Sequence, residues 1–494
     1  MPPLQIPHLP DMVQVLPELI WCGFGVLLML AQPFLRNRLA LTFIAMLGAA
    51  FGTLSAYFAT YFTPAGTGFG GLIQADHFAL FFHWLVGLVA FLVILASDSY
   101  LEREQLAPAE FYALILFATA GMGVLASAQE LLTAFVGLEM SSIASYILAG
   151  YRRDSIKSSE SALKYFLLGS FATAFFLYGI ALVYGATGTT NLALMNSVVP
   201  SSNLLRLGLT LILVGLGFKV AIAPFQIWTP DVYEGAPTPV TALFAAGPKA
   251  AAFALILRIF ASVDAATDYW FWAFWILAAV TMTVGNLGAI VQTNLKRLLA
   301  YSSIAHAGYI LVAFAAVTYM KPSEHGAGAA YAAILFYLLG YAIVKVGAFT
   351  IVSELGGHGE RYLTLEDYAG LASRQPVVAA ALTLLLLSLL GLPITAGFFG
   401  KFYIFKAAVN SHLIWLAAIM AINSVIGSYY YLRVIIVMYM REHKGNMPAD
   451  APTGISPTAA MVVTVSVLIT LFLGLAPNSV LGFILSQPLI SSSH

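Results

Sequence analysis

The sequence predicts an all-α polytopic membrane protein of about fourteen transmembrane helices, with two inverted five-helix repeats that each contain a broken helix. Three observations predict it. Of the 494 residues, 60% are hydrophobic and only 9% are charged, where ordinary soluble domains carry about 25% charged residues. The mean hydropathy is +0.89. Two long apolar runs, Gly215 to Pro224 and Gly391 to Lys401, carry Pro or Gly inside otherwise helical patterns. Proline removes a backbone donor and clashes with the preceding turn, so both helices should break or kink.

Apolar runs between polar breaks place the spans at 12–34, 39–62, 76–97, 108–128, 130–150, 163–186, 204–228, 238–261, 268–292, 296–319, 327–353, 376–408, 412–440 and 458–485. Paired interrupted helices point to internal repeats. Two further matches keep the same order: Ser141-Ser-Ile-Ala144 with Ser302-Ser-Ile-Ala305, and Phe166-Leu-Leu-Gly169 with Tyr337-Leu-Leu-Gly340. The expected organisation is a three-helix segment over 1–107, repeats over 108–261 and 268–440, and a C-terminal helix over 441–494. An odd number of helices per unit inverts the second relative to the first.

Arg36, Arg38, Arg103, Arg152, Arg153, Lys157, Lys296, Arg297, Arg361, Arg374, Arg441 and Lys444 all fall in loops on one side, leaving little beyond Arg206 and Lys321 on the other. The positive-inside rule makes the rich side cytoplasmic and puts both termini outside. Met1 to Glu18 contains no Lys or Arg, so the start does not read as a cleavable signal peptide. Cys22 is the single cysteine, which excludes an intrachain disulfide. A formal net charge of zero argues against nucleic acid as a partner and offers no polybasic lipid-binding tail. Phosphate loops, metal-ligand clusters, haem ligands and a flavin fingerprint are missing from the sequence, so the chain offers no redox chemistry of its own.

Lysines stand out against this background. Lys219, Lys249, Lys345 and Lys401 fall inside apolar stretches, and Glu139 interrupts the fifth span in the same way. A charge at bilayer depth costs roughly 2.5–3.5 kcal/mol on insertion scales, so such residues serve function or pair with one another. Burial disfavours an ammonium and a nearby carboxylate restores it, so a facing Glu139 and Lys219 would form either a proton carrier or a static helix-tying pair. Lys249 follows Pro248 and is either buried or snorkels to the interface. His306 and Lys345, on the tenth and eleventh spans, extend a polar row towards Lys401; His306 suits proton relay or a hydrogen bond to a carbonyl. Lys219 and Lys401 both adjoin helix breaks, where freed carbonyls gather. Asp231 and Glu234 sit in a Pro- and Gly-rich stretch that reads as a loop, either a gate or a solvated connection. Glu160 and Lys164 open the sixth helix, as a proton entry or as an ordinary dipole-complementing pair. Asp98, Glu102, Arg103 and Glu104 read as a solvated loop.

The run from Phe218 to Thr241, with Pro-Phe-Gln-Ile-Trp-Thr-Pro-Asp-Val-Tyr-Glu-Gly at its centre, resembles the signature of the antiporter-like subunits of respiratory complex I. Gly247-Pro-Lys-Ala-Ala251, Leu299 to Tyr309 and Gly391 to Phe402 strengthen the resemblance, which covers most of the chain and is nearest to the N type. The L type carries a long lateral helix for which this chain has no length, and the M type has glutamate where Lys401 stands. The resemblance implies a bacterial inner-membrane subunit of a proton-translocating NADH:quinone oxidoreductase, packed beside M- and K-type neighbours in the bilayer. FMN, iron–sulfur clusters and quinone would belong to partner subunits, with no cofactor in this chain. It also implies that Glu139 and Lys219 act as a pair, Lys249 as the connecting lysine and Lys401 as the lysine of the second broken helix. One departure is Gln226, where members of the family commonly have histidine. The rival readings are an Mrp-type cation/proton antiporter subunit, a membrane-arm subunit of a related hydrogenase or ferredoxin-driven complex, and a non-conducting spacer whose charges form static pairs.

Overall fold

The computed structural model describes residues 9–35, 37–62, 67–198, 202–262, 267–319, 325–442 and 454–486. In chain order the helices are α1 (Leu9–Gln14), α2 (Leu16–Ala31), α3 (Arg38–Tyr61), α4 (His77–Arg103), α5 (Pro108–Ser127), α6 (Leu131–Ala149), α7 (Ile156–Thr187), α8 (Leu192–Val198), α9 (Asn203–Val220), α10 (Trp228–Gly235), α11 (Thr238–Ser262), α12 (Thr267–Ile290), α13 (Leu295–Tyr319), α14 (His325–Leu355), α15 (Leu371–Arg374), α16 (Pro376–Leu390), α17 (Ala396–Asn410), α18 (Ile414–Met440), α19 (Pro457–Leu475) and α20 (Pro477–Ser486). A two-stranded antiparallel ribbon, Thr67–Gly68 with Ile73–Gln74, is a small addition to the all-α expectation. Among the described residues, 12 helices are long and apolar enough to cross a membrane. With the shorter α2 and the α16–α17 pair, they account for the expected set of spans.

Local chemistry fixes the ends. Asn37, Asp76, Glu130, Ser155, Ser202 and Ser456 each accept a backbone N–H as N-caps, satisfying donors that a first turn leaves open. Pro108, Pro376 and Pro457 stand in first turns, where a missing N–H costs nothing. Pro248 lies inside α11 without ending it, as transmembrane helices tolerate when neighbours cover the freed carbonyl.

Two boundaries differ from expectation for physical reasons. The fourth-helix stretch 98–103 is helical and Asp98 is buried, because Thr42 Oγ1 donates to its carboxylate at 2.9 Å and Arg38 sits 3.4 Å away. Asp231 and Glu234 are not in a loop but on the short helix α10, held there by basic partners. Of the other charges at 98–104, Glu104 is 3.5 Å from Arg152 and Arg103 is 3.6 Å from Glu354, so neither is in a solvated loop, while Glu102 at the end of α4 is exposed.

The two five-helix repeats share one packing scheme. α5 packs on α6 as α12 packs on α13; α6 on α7 as α13 on α14; α7 on α9 and α10 as α14 on α16 and α17. The last helix of each returns to the first, α11 to α5 and α18 to α12. Close approach rests on glycine in both: a Cβ at Gly121 would lie 2.5 Å from the Ser141 nitrogen, and one at Gly285 2.4 Å from that of Ala305.

The breaks are also alike. α9 stops at Val220 because Ala221 turns left-handed (φ 60°), and Ile222 N–H then reaches back to Gly217 O at 3.0 Å. α16 stops at Leu390 because Gly391 turns left-handed (φ 100°), and Leu392 N–H reaches Leu387 O at 2.9 Å. Both are Schellman-type ends. The seventh span is therefore two helices with a non-helical link, the break that its Gly and Pro residues predict, and its second half α10 runs past the expected end at 228. Helices α11, α13 and α14 are buried nearly throughout and form the middle of the bundle, where the central charges sit.

Candidate functional site: a row of buried lysines

Lys219 stands on the last turn of α9, just ahead of its break, and is 7% exposed. Its Nζ donates to the Tyr165 hydroxyl at 3.4 Å and lies 5.2 Å and 5.0 Å from the centroids of the Tyr146 and Tyr165 rings. The two rings meet edge to face, forming an aromatic seat for a cation. Glu139, half-buried on α6, accepts from Thr173 Oγ1 at 2.9 Å. It lies within electrostatic reach of Lys219 but outside the 4.0 Å of a direct ion pair.

Lys249 sits in the middle of α11, 1% exposed, and donates to Ser303 O at 2.9 Å. It is buried and does not snorkel. Lys345 on α14 is fully buried and donates to Leu299 O at 2.8 Å and to Ser302 Oγ at 2.9 Å. From Ser302 a chain of hydroxyls continues: Ser302 Oγ to Tyr431 Oη at 2.5 Å, Tyr431 Oη to His306 Nε2 at 3.1 Å, and His306 Nδ1 to Tyr337 Oη at 2.5 Å. His306 is thus bonded to two phenols rather than to a carbonyl. Lys249, Lys345 and Lys401 all lie within electrostatic reach of it.

Lys401 is half-buried on α17, beyond the second break. Its Nζ donates to Leu390 O at 2.8 Å, a carbonyl freed by the break, and lies 4.7 Å from the Tyr309 ring centroid. The two break lysines are therefore not equivalent positions of the repeat. Lys219 precedes its break and Lys401 follows its own.

Among the described residues, none of these four lysines has a carboxylate within 4.0 Å; every ion pair there involves other residues. Burying an ammonium with only neutral partners costs several kcal/mol, which makes the charge of this row easy to move. The structure divides it into two parts. From Lys345 to Tyr337 the link is hydrogen-bonded. Between Lys219 and α11 the contacts are aromatic, with Tyr165 packed edge-on against Phe244 and stacked on Trp228.

The basic end of the bundle is built from ion pairs. Asp231 binds Lys164 at 2.7 Å and Arg297 at 2.6 Å, and Glu234 binds Arg297 at 3.1 Å and Lys157 at 3.2 Å. Glu160 is exposed and contacts Lys164 at 2.6 Å. All of these except Lys164, with Ser161 and Gly235, line a cleft of about 140 Å³. Burial pushes the Asp231 carboxyl up, but hydrogen bonds from Lys164 and Arg297 outweigh it and hold it below its ordinary value. Glu360 behaves alike: burial pushes it up, and the Lys296 ammonium 2.8 Å away brings it below its usual value. Gln226 lies in the link between α9 and α10 with its buried side-chain oxygen unpartnered. Arg36, Lys321 and Lys444 lie outside the described residues.

Sequence reading missed Tyr146, Tyr165, Ser302, Tyr337 and Tyr431, which look like ordinary apolar-span residues until tertiary contacts bring the Tyr146 ring and the other four hydroxyls to a lysine or histidine. It also missed Arg258. That residue ends an apolar span near the opposite face, 4% exposed, and forms a bidentate pair with Asp76 at 2.7 and 3.1 Å.

The family described as NADH:quinone oxidoreductase/Mrp antiporter, TM, matches residues 128–427, which contain both broken helices and all four lysines. The chain is 47% identical to NADH-quinone oxidoreductase subunit N 2 of Koribacter versatilis, over 97% of its own length and 96% of the relative's. It is 48% identical to NADH-quinone oxidoreductase subunit N 1 of Solibacter usitatus, over 96% of each. Among solved structures, a chain of respiratory complex I from Thermus thermophilus with bound aureothin matches with a TM-score of 0.78 and 37% identity, covering 94% of this chain and 98% of that one. This multi-pass membrane protein therefore belongs, with those N subunits, to the NADH:quinone oxidoreductase/Mrp antiporter transmembrane family.

Proposed function

We propose that this chain is a proton-translocating membrane-arm subunit of a bacterial inner-membrane NADH:quinone oxidoreductase. It moves protons by way of buried lysines while other subunits carry FMN, iron–sulfur clusters and quinone. The observation that carries the reading is the row Lys219, Lys249, Lys345 and Lys401, buried or half-buried and without a carboxylate within ion-pair distance. A spacer held together by static pairs would show each buried charge matched, as Lys296 is by Glu360; the four lysines are not. The 45–48% identity to N subunits supports the redox-driven complex over an Mrp-type antiporter.

In this reading Glu139 modulates Lys219 across the gap between α6 and α9. Its approach favours the ammonium and its withdrawal towards Thr173 favours release, so a conformational signal from quinone chemistry in neighbouring subunits becomes a proton step. Lys249 passes the change of charge to Lys345, and the Ser302–Tyr431–His306–Tyr337 hydroxyl chain offers a Grotthuss route in the second repeat. Lys401 terminates the row at the second break. The cleft around Glu160, Asp231 and Arg297 is the entry at the basic end, which faces the cytoplasm by the positive-inside rule and leaves both termini periplasmic. M- and K-type subunits are the neighbours.

The test is Lys219→Ala in the intact complex in sealed membrane vesicles, reading protons moved per NADH oxidised alongside the amount of assembled complex. A lower ratio with assembly retained is expected. An unchanged ratio would refute the role of Lys219.

A further inference from the structure

Outside the lysine row, one acid and one histidine meet in the N-terminal helices. Glu18 stands in the first turn of α2 and His83 near the start of α4; they are 6% and 4% exposed. His83 Nε2 lies 2.7 Å from Glu18 Oε1, and His83 Nδ1 lies 2.6 Å from the backbone oxygen of Ala79. Glu18 Oε2 is buried and has no hydrogen-bond partner. The Trp21 ring lies nearly parallel to the imidazole, centroids 6.0 Å apart. Gly123 of α5 closes the other side: a Cβ there would stand 2.8 Å from Glu18 Oε1 and 3.1 Å from His83 Nε2.

Proton counting follows from these contacts. A carbonyl oxygen only accepts, so His83 Nδ1 carries a hydrogen and donates it to Ala79 O. Nε2 then faces a carboxylate oxygen at 2.7 Å. Without a proton between them, two lone pairs would oppose each other in a buried site. One proton must lie there, either on Nε2 beside a carboxylate or on Oε1 beside a neutral imidazole. Both arrangements are net neutral, the cheapest charge state in an apolar setting.

We propose that Glu18 and His83 form a proton-binding site separate from the lysine row, in which one bound proton holds α2 against α4. Removing that proton leaves a carboxylate facing an imidazole lone pair, and the pair must part. Parting the pair by a movement of α2 in turn releases the proton. The remaining titratable and charged groups around it are few: Cys22 beside Glu18 on α2, and Arg258 from α11, which is already paired with Asp76. Neither supplies a hydrogen bond to Glu18 Oε2, so the histidine is the carboxylate's one described partner.

The experiment uses the whole complex in its own lipids. Infrared difference spectra across a pH titration are compared for the native chain, Glu18→Gln and His83→Asn. Loss of one titrating carboxyl–imidazole signal is expected in Glu18→Gln, with a free-carboxyl signal in His83→Asn. Native-like titration in Glu18→Gln would overturn the proposal. Should the variants fail to assemble, ring-labelled histidine in the native chain decides by nitrogen NMR: a His83 Nε2 sharing a proton supports the site, and an Nε2 with no proton in its contact overturns it. These signals read the site's own proton and not pumping, so their outcome is independent of Lys219.

Discussion

Lys401 Nζ donates to the backbone oxygen of Leu390 at 2.8 Å, so a side chain on the second half of the broken helix closes the open end of the first half. The last carbonyls of α16 have no partner within their helix, and Gly391 makes room beside the lysine stem, since a Cβ there would lie 3.2 Å from Lys401 Cδ. Lys401→Ala removes the donor and exposes a buried acceptor, a loss of about 1.5–3 kcal/mol for a hydrogen bond to a charged group. The expected outcome is fewer protons moved per NADH and a lower melting temperature of the complex. Lys401→Arg keeps a donor, so it should restore stability more fully than pumping.

Tyr431 joins Ser302 to His306. Tyr431→Phe keeps the ring and deletes the bridging hydroxyl. Two hydrogen bonds at roughly 1 kcal/mol each are lost, so the complex should still assemble. Proton uptake in vesicles should slow relative to a Tyr403→Phe control outside the chain. Equal rates in the two variants would remove Tyr431 from the route.

A methyl group at Gly169 would stand 2.1 Å from Tyr146 Oη. Gly169→Ala therefore displaces the ring that flanks Lys219, at a cost of about 1–3 kcal/mol for overpacking. The expected result is a pumping defect close to that of Lys219→Ala, with quinone reduction retained. Tyr146→Phe in the same background removes the clashing hydroxyl and should relieve the defect.

Acid should weaken the tie between α13 and the turn after α14. Glu360 is held below the ordinary value of 4.5 by Lys296, despite burial. A depressed carboxylate contributes stability that is fully present above its unfolded value and is lost as pH falls through the folded one. Unfolding midpoints of the purified complex should therefore drop below pH about 4.5. Glu360→Gln should be less stable than the native chain at neutral pH and show a smaller further loss on acidification.

Arg258 and Asp76 make a buried bidentate pair. Removing one partner of such a pair costs about 3–5 kcal/mol, because the other charge is left uncompensated. Arg258→Leu should lower the yield of assembled complex more than Arg258→Lys, as read on native gels.

Much of this protein was decided by the sequence alone. Span-length apolar runs dictate membrane helices because no other open structure satisfies its backbone in lipid. Ala221 and Gly391 fall where Pro and Gly already signalled broken helices, and Lys219, Lys249, Lys345 and Lys401 were visible because a lysine in such a run is costly. What the sequence left open were relations between helices. Whether Asp98 and Glu104 were solvated depended on Arg38 of α3 and on Arg152 in the connection between α6 and α7, which reach them from distant segments. Whether Glu139 and Lys219 touch was set by Thr173 and Tyr165, which hold them apart. The phenols of Tyr337 and Tyr431, inconspicuous inside apolar spans, became part of a hydrogen-bonded chain only when α13, α14 and α18 packed together around His306. Periodicity records which residues avoid water, but a hydrogen bond of 2.5–3.1 Å between distant segments exists only once packing has fixed helix rotation and depth.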